Sequence, residues 1–326
     1  MKKEIISLLE YWEKEKGIER NYLIESLEDG LLTVYRKKAG LSKDIKIKID
    51  PETGDIKFIN ETGEEIPPPT FQWERIAAQT AKYVLMQKLK EAERNTIYDE
   101  FKKLEGELVS GKVERFENEN VVVVIGKAEG ILPHHHKLPN DHFKIGDGLK
   151  CYLLEVRPPS KGNYQLILSR THPNFIKKLL ENEIPEIKEG IIEIKGIARF
   201  PGDLTKVAVL SKKEKVEPIG TCVGDKAGRI KNIIKELKGE KIEIIQWDED
   251  ITKFIKNSLS PAKANEVYID EDKKEAVVIV SDDQLFLAIG KKGQNVRLAS
   301  KLIGWNIRVF KESEYKNENL SNSQKI

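Results

Sequence analysis

The sequence holds only two cysteines among 326 residues, Cys151 and Cys222, each inside an apolar segment and far from the other. A disulfide framework or a zinc site needs more cysteines or closer spacing, so both read as small core residues in a reducing compartment. Nowhere do about 18 apolar residues follow one another, the length a helix needs to cross a bilayer. The opening MKKEIISLLEYWEKEK begins with lysines but interrupts its apolar positions with Glu4, Glu10 and Glu13. That pattern excludes a secretory leader and predicts an amphipathic helix. A strong excess of one charge is missing too: 56 Lys and Arg against 54 Asp and Glu leave a formal +2. The balance shifts along the chain, from 17 basic against 20 acidic residues in 1–100 to 22 against 18 in 190–310. So small an excess does not itself imply a nucleic-acid partner, because such binding depends on where charge clusters.

What is present is enough apolar material, 39% of residues, to fill several small cores in two or three domains. Residues 1–104 form the first expected domain. A second helix, NYLIESLEDGLLTVYRKK, carries an apolar stripe at Leu23, Leu27, Leu31 and Val34. IKIKID and DIKFIN alternate apolar and polar residues around PETG, which predicts a β-hairpin. The prolines of EEIPPPTFQW stop any helix or central strand there. A helical run from about Phe71 to Leu104 follows, with a stripe at Ile97, Phe101 and Leu104. If continuous, its roughly 34 residues span about 50 Å and hold the first domain away from the rest.

From 105 to 171 the pattern changes to five short strands separated by Gly, Pro and Asn, as in a small closed barrel of the OB type. Residues 172–247 and 248–311 then repeat one order: helix, two strands, helix, glycine loop, helix, strand. Residues 312–326, ESEYKNENLSNSQKI, are polar and unpatterned, which predicts a disordered tail.

The second repeat contains AIGKKGQNVRLAS, in which Gly290-Lys291-Lys292-Gly293 separates two short helices. Glycines let the backbone turn sharply and keep no Cβ between a phosphate and the loop amides. Those amides face outward at the start of the next helix, where partial positive charge favours an anion. Lys291 and Lys292 add mobile cations, Gln294 opens the helix, and Arg297 follows one turn on. KH modules clamp about four nucleotides of single-stranded RNA in this way. A GxxG pattern alone is weak, since solvated helix corners produce it by chance. Here it lies between predicted helices, strands precede it, and a sister copy stands 66 residues upstream. A nucleotide-binding P-loop is excluded, because no Ser or Thr follows the lysines.

The sister copy, IGTCVGDKAGRIKNII, places Gly224 opposite Gly290 but Ala227 opposite Gly293, with Asp225 where the other loop has lysine. Lys226 and Arg229 remain as candidate RNA contacts, and the loop is expected to hold RNA less closely. In the barrel the candidates are Arg115, Phe116, His134 and Arg170, with Phe116 reading equally as a barrel-lining core residue. His134, His135 and His136 do not make a metal site, since three consecutive residues cannot converge on one ion in an ordinary loop. No catalytic triad or paired-carboxylate site is found, and no cofactor is expected.

Longer stretches carry a resemblance. FQWERIAAQTAKYVLMQKLKEAER resembles the connector helix of the bacterial NusA family, and LSRTHPNFIKKLLENEIPEI resembles its junction between S1 and first KH domains. PIGTCVGDKAGRIKNIIKELKGEKIEIIQW is similar to the first KH core. SPAKANEVYIDEDKKEAVVIVSDDQLFLAIGKKGQNVRLASKLIGWNIRV is similar to the second. The resemblance spans about residues 1–310. It departs at Ala227, and it finds no counterpart of the acidic C-terminal repeats of some members. It implies a multidomain α+β chain: an N-terminal helix-hairpin domain with a long connector helix, an S1-type OB β-barrel and two tandem KH domains. It further implies a cytoplasmic, monomeric RNA-binding transcription factor rather than an enzyme. Its expected partners are nascent single-stranded RNA, RNA polymerase at the β-subunit flap near the RNA exit channel, and other elongation or antitermination factors. Two alternatives use similar modules. A phosphorolytic exoribonuclease would need a large catalytic domain that residues 1–104 do not supply, and a ribosome-associated KH/S1 protein would not need the long connector.

Overall fold

The computed structural model describes residues 6–7, 9–11, 13–14, 19–39, 45–68, 73–158 and 166–315. The predicted opening helix falls partly outside them, as does the tail beyond Tyr315. The chain divides into two compact units, one drawn from Met1–Glu100 and the other from Phe101–Arg157 and Gly162–Ile326.

In the first unit, helix α1 (Arg20–Ala39) buries Leu23, Leu27, Leu31 and Tyr35, a spacing of four that keeps one face inward. The stripe therefore runs through Tyr35, and Val34 is only half-buried. Strands β1 (Lys46–Ile49) and β2 (Ile56–Ile59) pair antiparallel, with Lys46 opposite Ile59, and β3 (Glu65–Ile66) adds to β2. The PETG turn closes as its residues predict. The Asp50 carboxylate accepts the amides of Glu52 and Thr53 at 2.9 Å, which lowers its pKa, and Gly54 takes φ +70°. Helix α2 (Trp73–Lys102) runs for 30 residues, about 45 Å at 1.5 Å each. Its first turns bury Trp73, Ala77, Ala81 and Leu85 against the same core, and Tyr35, Phe58 and Trp73 meet ring to ring. The small residue Gly30 is needed here, because a Cβ at that position would lie 2.4 Å from a Val84 methyl. The expected stripe at the helix end is cut short. Phe101 is buried, but the helix stops at Lys102 and leaves Leu104 43% exposed.

The second unit opens with a closed barrel in the order β4 (Leu108–Glu117), β5 (Asn120–Ile125), β6 (Ala128–Leu132), β8 (Leu166–Ser169), β7 (Gly148–Val156). The first repeat follows as α3 (Pro173–Glu183), α4 (Pro185–Lys188), β9 (Ile192–Phe200), β10 (Leu204–Ser211), α5 (Pro218–Val223), α6 (Gly228–Glu236) and β11 (Lys241–Gln246). The second is α7 (Ile251–Ser258), β12 (Ala264–Asp270), β13 (Glu275–Val280), α8 (Leu285–Ile289), α9 (Gln294–Ile303) and β14 (Asn306–Lys311). Each repeat has a three-stranded sheet whose central strand is antiparallel to one neighbour and parallel to the other. Residues 312–315, placed by sequence in the tail, form a helical turn, and the Tyr315 ring stacks on Tyr268.

The repeats dock. Ala208 and Ile245, on the outer face of the first sheet, pack against Phe254, Ile251, Leu302 and Ile303 of the second repeat. Gly196 allows this approach, since a Cβ there would stand 3.2 Å from Leu302. Lys206, fully buried on that face, donates to Glu243 at 2.5 Å and to the Ser260 carbonyl at 2.9 Å. Burial pulls its pKa down in spite of Glu243.

A buried arginine holds the barrel to the first repeat, and a second braces the repeat itself. Arg170, 0% exposed, donates to Asp141 and the Lys150 carbonyl in the barrel, and to both the carboxylate and the carbonyl of Glu236 on α6. Its guanidinium lies 5.2 Å from the Phe175 ring centre, and that of Arg199 lies 5.9 Å away. Arg199 makes a buried bidentate pair with Glu240 at 2.7–2.8 Å, and Glu240 also accepts from Thr205 and the Gly202 amide. His172 starts α3: its Nδ1 accepts the Asn174 amide at 3.1 Å while the ring stacks flat on Tyr152. The expectation that Arg170 contacts RNA is corrected by this placement, because no part of its guanidinium reaches solvent.

Removing one member of a buried ion pair strands the other, at a cost of about 3–5 kcal/mol. Arg170→Ala should therefore lower the unfolding free energy by about that amount in urea titrations, while retention of wild-type stability would refute this role of Arg170. A pH effect follows from the histidines. Burial lowers the pKa of both His136 and His172 from 6.5, with neighbouring His and Arg charges acting the same way. The unfolded chain then binds protons more readily, so stability is full above about pH 6.5 and is lost as pH falls through the folded values. His172→Asn, which keeps a capping acceptor without a titrating ring, should flatten part of that loss.

Candidate nucleic-acid interface

The two glycine loops share one backbone. Gly224 and Gly290 take φ +74° and +75° with the same ψ of 174°. Lys226 and Lys292 follow at φ +49° and +53°, then Ala227 and Gly293 at +60° and +73°. The amide of Ala227 donates to Gly224 and that of Gly293 to Gly290, both at 3.1 Å. Each loop feeds a helix, α6 or α9, whose first amides receive no side-chain cap. Those amides are what an anion would meet.

The first and last positions of each loop serve different needs. A Cβ at Gly290 would meet the Asn295 amide nitrogen at 2.9 Å, and one at Gly224 would meet the Arg229 side chain at 2.8 Å. At Gly293 the nearest atom is Arg297 Nε at 3.7 Å, so only the left-handed φ asks for glycine. Ala227 adopts that conformation with its methyl in place, a strain of about 1–2 kcal/mol. The departure from GxxG in the first repeat therefore changes the surface of the loop and not its path.

Arg229 is placed differently from the sequence expectation. Its guanidinium donates to the Thr221 carbonyl at 2.8 Å and to Glu186 at 2.9 Å, across the loop and into the protein. In the second repeat Asn295 stands at the same position and donates to the carbonyls of Leu287, Ala288 and Leu259. Thr221 and Leu287 are equivalent, so both side chains fasten the loop to the helix before it. Asn295 escaped notice in the sequence because it carries no charge, and the carbonyls it binds are brought to it only by the fold.

The cations of the two loops differ in their freedom. Lys291, Lys292 and Arg297 are exposed, and among the described residues none is in an ion pair. In the first loop Lys226 is exposed beside Asp225, and Lys231 folds back to donate to the Lys226 carbonyl at 2.9 Å. Gln294 donates to Asp203, in the turn between β9 and β10. The same turn receives Asn140 of the barrel, which donates to the Gly202 carbonyl at 3.0 Å. One turn of the first repeat is thus held from the barrel and from the second glycine loop.

The barrel candidates fare unequally. Arg115 is surrounded by Glu114, Glu117 and Glu129 at 2.8–3.0 Å, so its charge is already matched. His134 is exposed, with Glu119 3.9 Å from Nδ1. Phe116 is 44% exposed on β4, so it does not line the barrel. Among the described residues no group of His, Cys, Asp and Glu is arranged to hold a metal ion. Cys151 and Cys222 are buried free thiols, pushed by desolvation to about 12. Both are therefore poor nucleophiles.

Comparison with known families and with relatives of similar sequence gives one consistent result. Residues 4–62 match the NusA N-terminal domain, 170–247 the NusA-like first KH domain and 251–317 the NusA-like second KH domain. The transcription termination/antitermination protein NusA of Bacillus subtilis is 39% identical over 345 aligned positions, covering 96% of this chain and 92% of that one. Its counterpart from Mycobacterium tuberculosis is 40% identical over 313, covering 91% and 90%. The solution structure of the N-terminal domain of NusA from B. subtilis covers 29% of this chain and 99% of its own, at 29% identity and a TM-score of 0.24.

The contrast between the two glycines of a loop is testable by melting. Gly293→Ala should cost about 1–2 kcal/mol, the left-handed strain that Ala227 already bears. Gly290→Ala should cost more, because its Cβ meets backbone. Equal losses would show that packing against Asn295 does not set the requirement.

Proposed function

The chain belongs to the NusA family, and from that premise we propose that it is an RNA-binding transcription factor that modulates pausing, termination and antitermination. It carries RNA on the Gly290–Gly293 loop, docks on RNA polymerase at the β-subunit flap near the RNA exit channel, and works with other elongation and antitermination factors. It acts as a cytoplasmic monomer and catalyses no reaction. The division of labour follows the domains: 1–104 for polymerase, and the barrel of 105–171 with the KH domains of 172–247 and 248–311 for RNA. One observation carries the RNA half of this reading: three exposed cations, Lys291, Lys292 and Arg297, surround an open glycine loop at an uncapped helix start. The first loop, with Asp225 beside Lys226, is the weaker clamp, and Arg115 contributes least because three glutamates hold it. On the first unit, Tyr22, Tyr83 and Met86 of α1 and α2 are exposed and supply apolar surface for a protein partner.

Phosphate contacts release counterions, so affinity for an unstructured RNA should fall steeply as salt rises. Lys291→Glu with Lys292→Glu should weaken binding and flatten the slope of log K against log salt by about 2. Asp225→Lys should strengthen binding, most at low salt, where screening is least. Pull-down on core polymerase should fail for a chain lacking residues 1–104 and survive the paired lysine changes. RNA affinity indifferent to both salt and the lysines would overturn the RNA half, and polymerase binding without 1–104 would overturn the other.

A further inference from the structure

Phe286 lies where neither KH core accounts for it. It is 85% exposed, more than any other large hydrophobic side chain among the described residues. Helix α8 has a settled inner face: Ala288 is fully buried and Leu285 packs on the second KH core. Phe286 and Leu287, the latter 43% exposed, project from the other side. Leaving such a ring in water forgoes the gain of burying it, yet single exposed apolar residues are common and need no function by themselves. Position is what separates this one.

Gly290 follows Phe286 by four residues, and its amide donates to the Phe286 carbonyl at 2.9 Å. The two therefore stand on one side of the helix, about one turn of 5.4 Å apart. Beyond Gly290 come the exposed cations Lys291 and Lys292, without an ion pair among the described residues, and the open position at Gly293. The first repeat provides an internal control: at the place equivalent to Phe286 it has Gly220, and opposite Leu287 it has Thr221. The loop with free cations is the one with an aromatic ring beside it.

We propose that Phe286 is a stacking platform for an unpaired base of the single-stranded RNA whose phosphates the Gly290–Gly293 loop holds. The inference rests on the RNA half of the proposed function and adds a contact to bases. A ring presents its face to any base, so the platform favours the larger purines without reading hydrogen-bonding edges. The first repeat, with Gly220, offers no such surface. Binding across the two repeats is then unequal, with the stacked base held at the second.

The test uses the full chain and a short oligoadenylate. Stacking of one base corresponds to about 5- to 150-fold in affinity, converted at about 1.4 kcal/mol per tenfold. Phe286→Ala should weaken binding within that range and leave the salt slope unchanged, because no phosphate contact is lost. Phe286→Trp should keep the affinity, and its fluorescence should be quenched as the base stacks. An oligonucleotide with abasic sites should bind the wild type more weakly but bind Phe286→Ala no worse than the intact one does. Unchanged affinity of Phe286→Ala overturns the platform, as does equal weakening of both proteins by abasic sites. Loss of polymerase capture with RNA affinity intact would make the ring a protein contact and overturn it too. If Lys291→Glu with Lys292→Glu leaves RNA binding untouched, the loop is no clamp and both readings fall. If those changes weaken binding and Phe286→Ala does not, only the platform is lost.

Discussion

The buried guanidinium of Arg170 is the constraint on which the second unit depends. A charge this deeply desolvated is tolerated only when it is paired and hydrogen-bonded, and four acceptors from two domains take four of its five N–H groups: Asp141, the Lys150 carbonyl, and two oxygens of Glu236. Because the partners are divided between barrel and first repeat, satisfying the charge fixes one against the other. Phe175 fills the space between Arg170 and Arg199, so the second buried pair, Arg199–Glu240, is braced by the same ring. Glu240 in turn accepts the amide of Gly202, in the turn that Asn140 and Gln294 hold from either side. From the arginine to the second glycine loop the contacts are continuous.

That continuity explains how a loop of four residues can hold an unfavourable backbone. The left-handed residues of each loop cost strain that only a well-fixed frame can maintain. In the second repeat Asn295 supplies part of the frame with three hydrogen bonds, and in the first Arg229 does the same work with a longer arm. The first repeat therefore keeps its backbone although Ala227 replaces a glycine. What it loses is outward: Asp225 opposes its lysine, and its helix presents Gly220 where the second repeat presents Phe286.

Much of this architecture was legible from local pattern. The hairpin around PETG, the five barrel strands and the order of elements in both repeats stand where alternation and glycine spacing put them. What local pattern left open was settled by residues far away in the chain. Leu104 lay on a stripe that the helix stops short of completing, and of the two readings open for Phe116 the exposed one is realised, since the register of its strand is set by its partners. Arg170, a candidate RNA contact by sequence, is buried among the protein's own oxygens, while Arg115 and Arg229 are ion-paired with glutamates.

By itself the sequence determined the elements, their duplication and the path of the glycine loops, because these depend on residues within one or two turns of each other. Periodicity of burial and the left-handed tolerance of glycine act over that range. Only the tertiary structure decided which cations face solvent. An arginine's charge is the same in every sequence, but its partner is whatever acid or carbonyl the fold brings within about 3 Å, and that distance is set by residues far away along the chain. Glu236 lies 66 positions from Arg170 and Glu186 lies 43 from Arg229, while Lys291, Lys292 and Arg297 are left without an ion pair among the described residues.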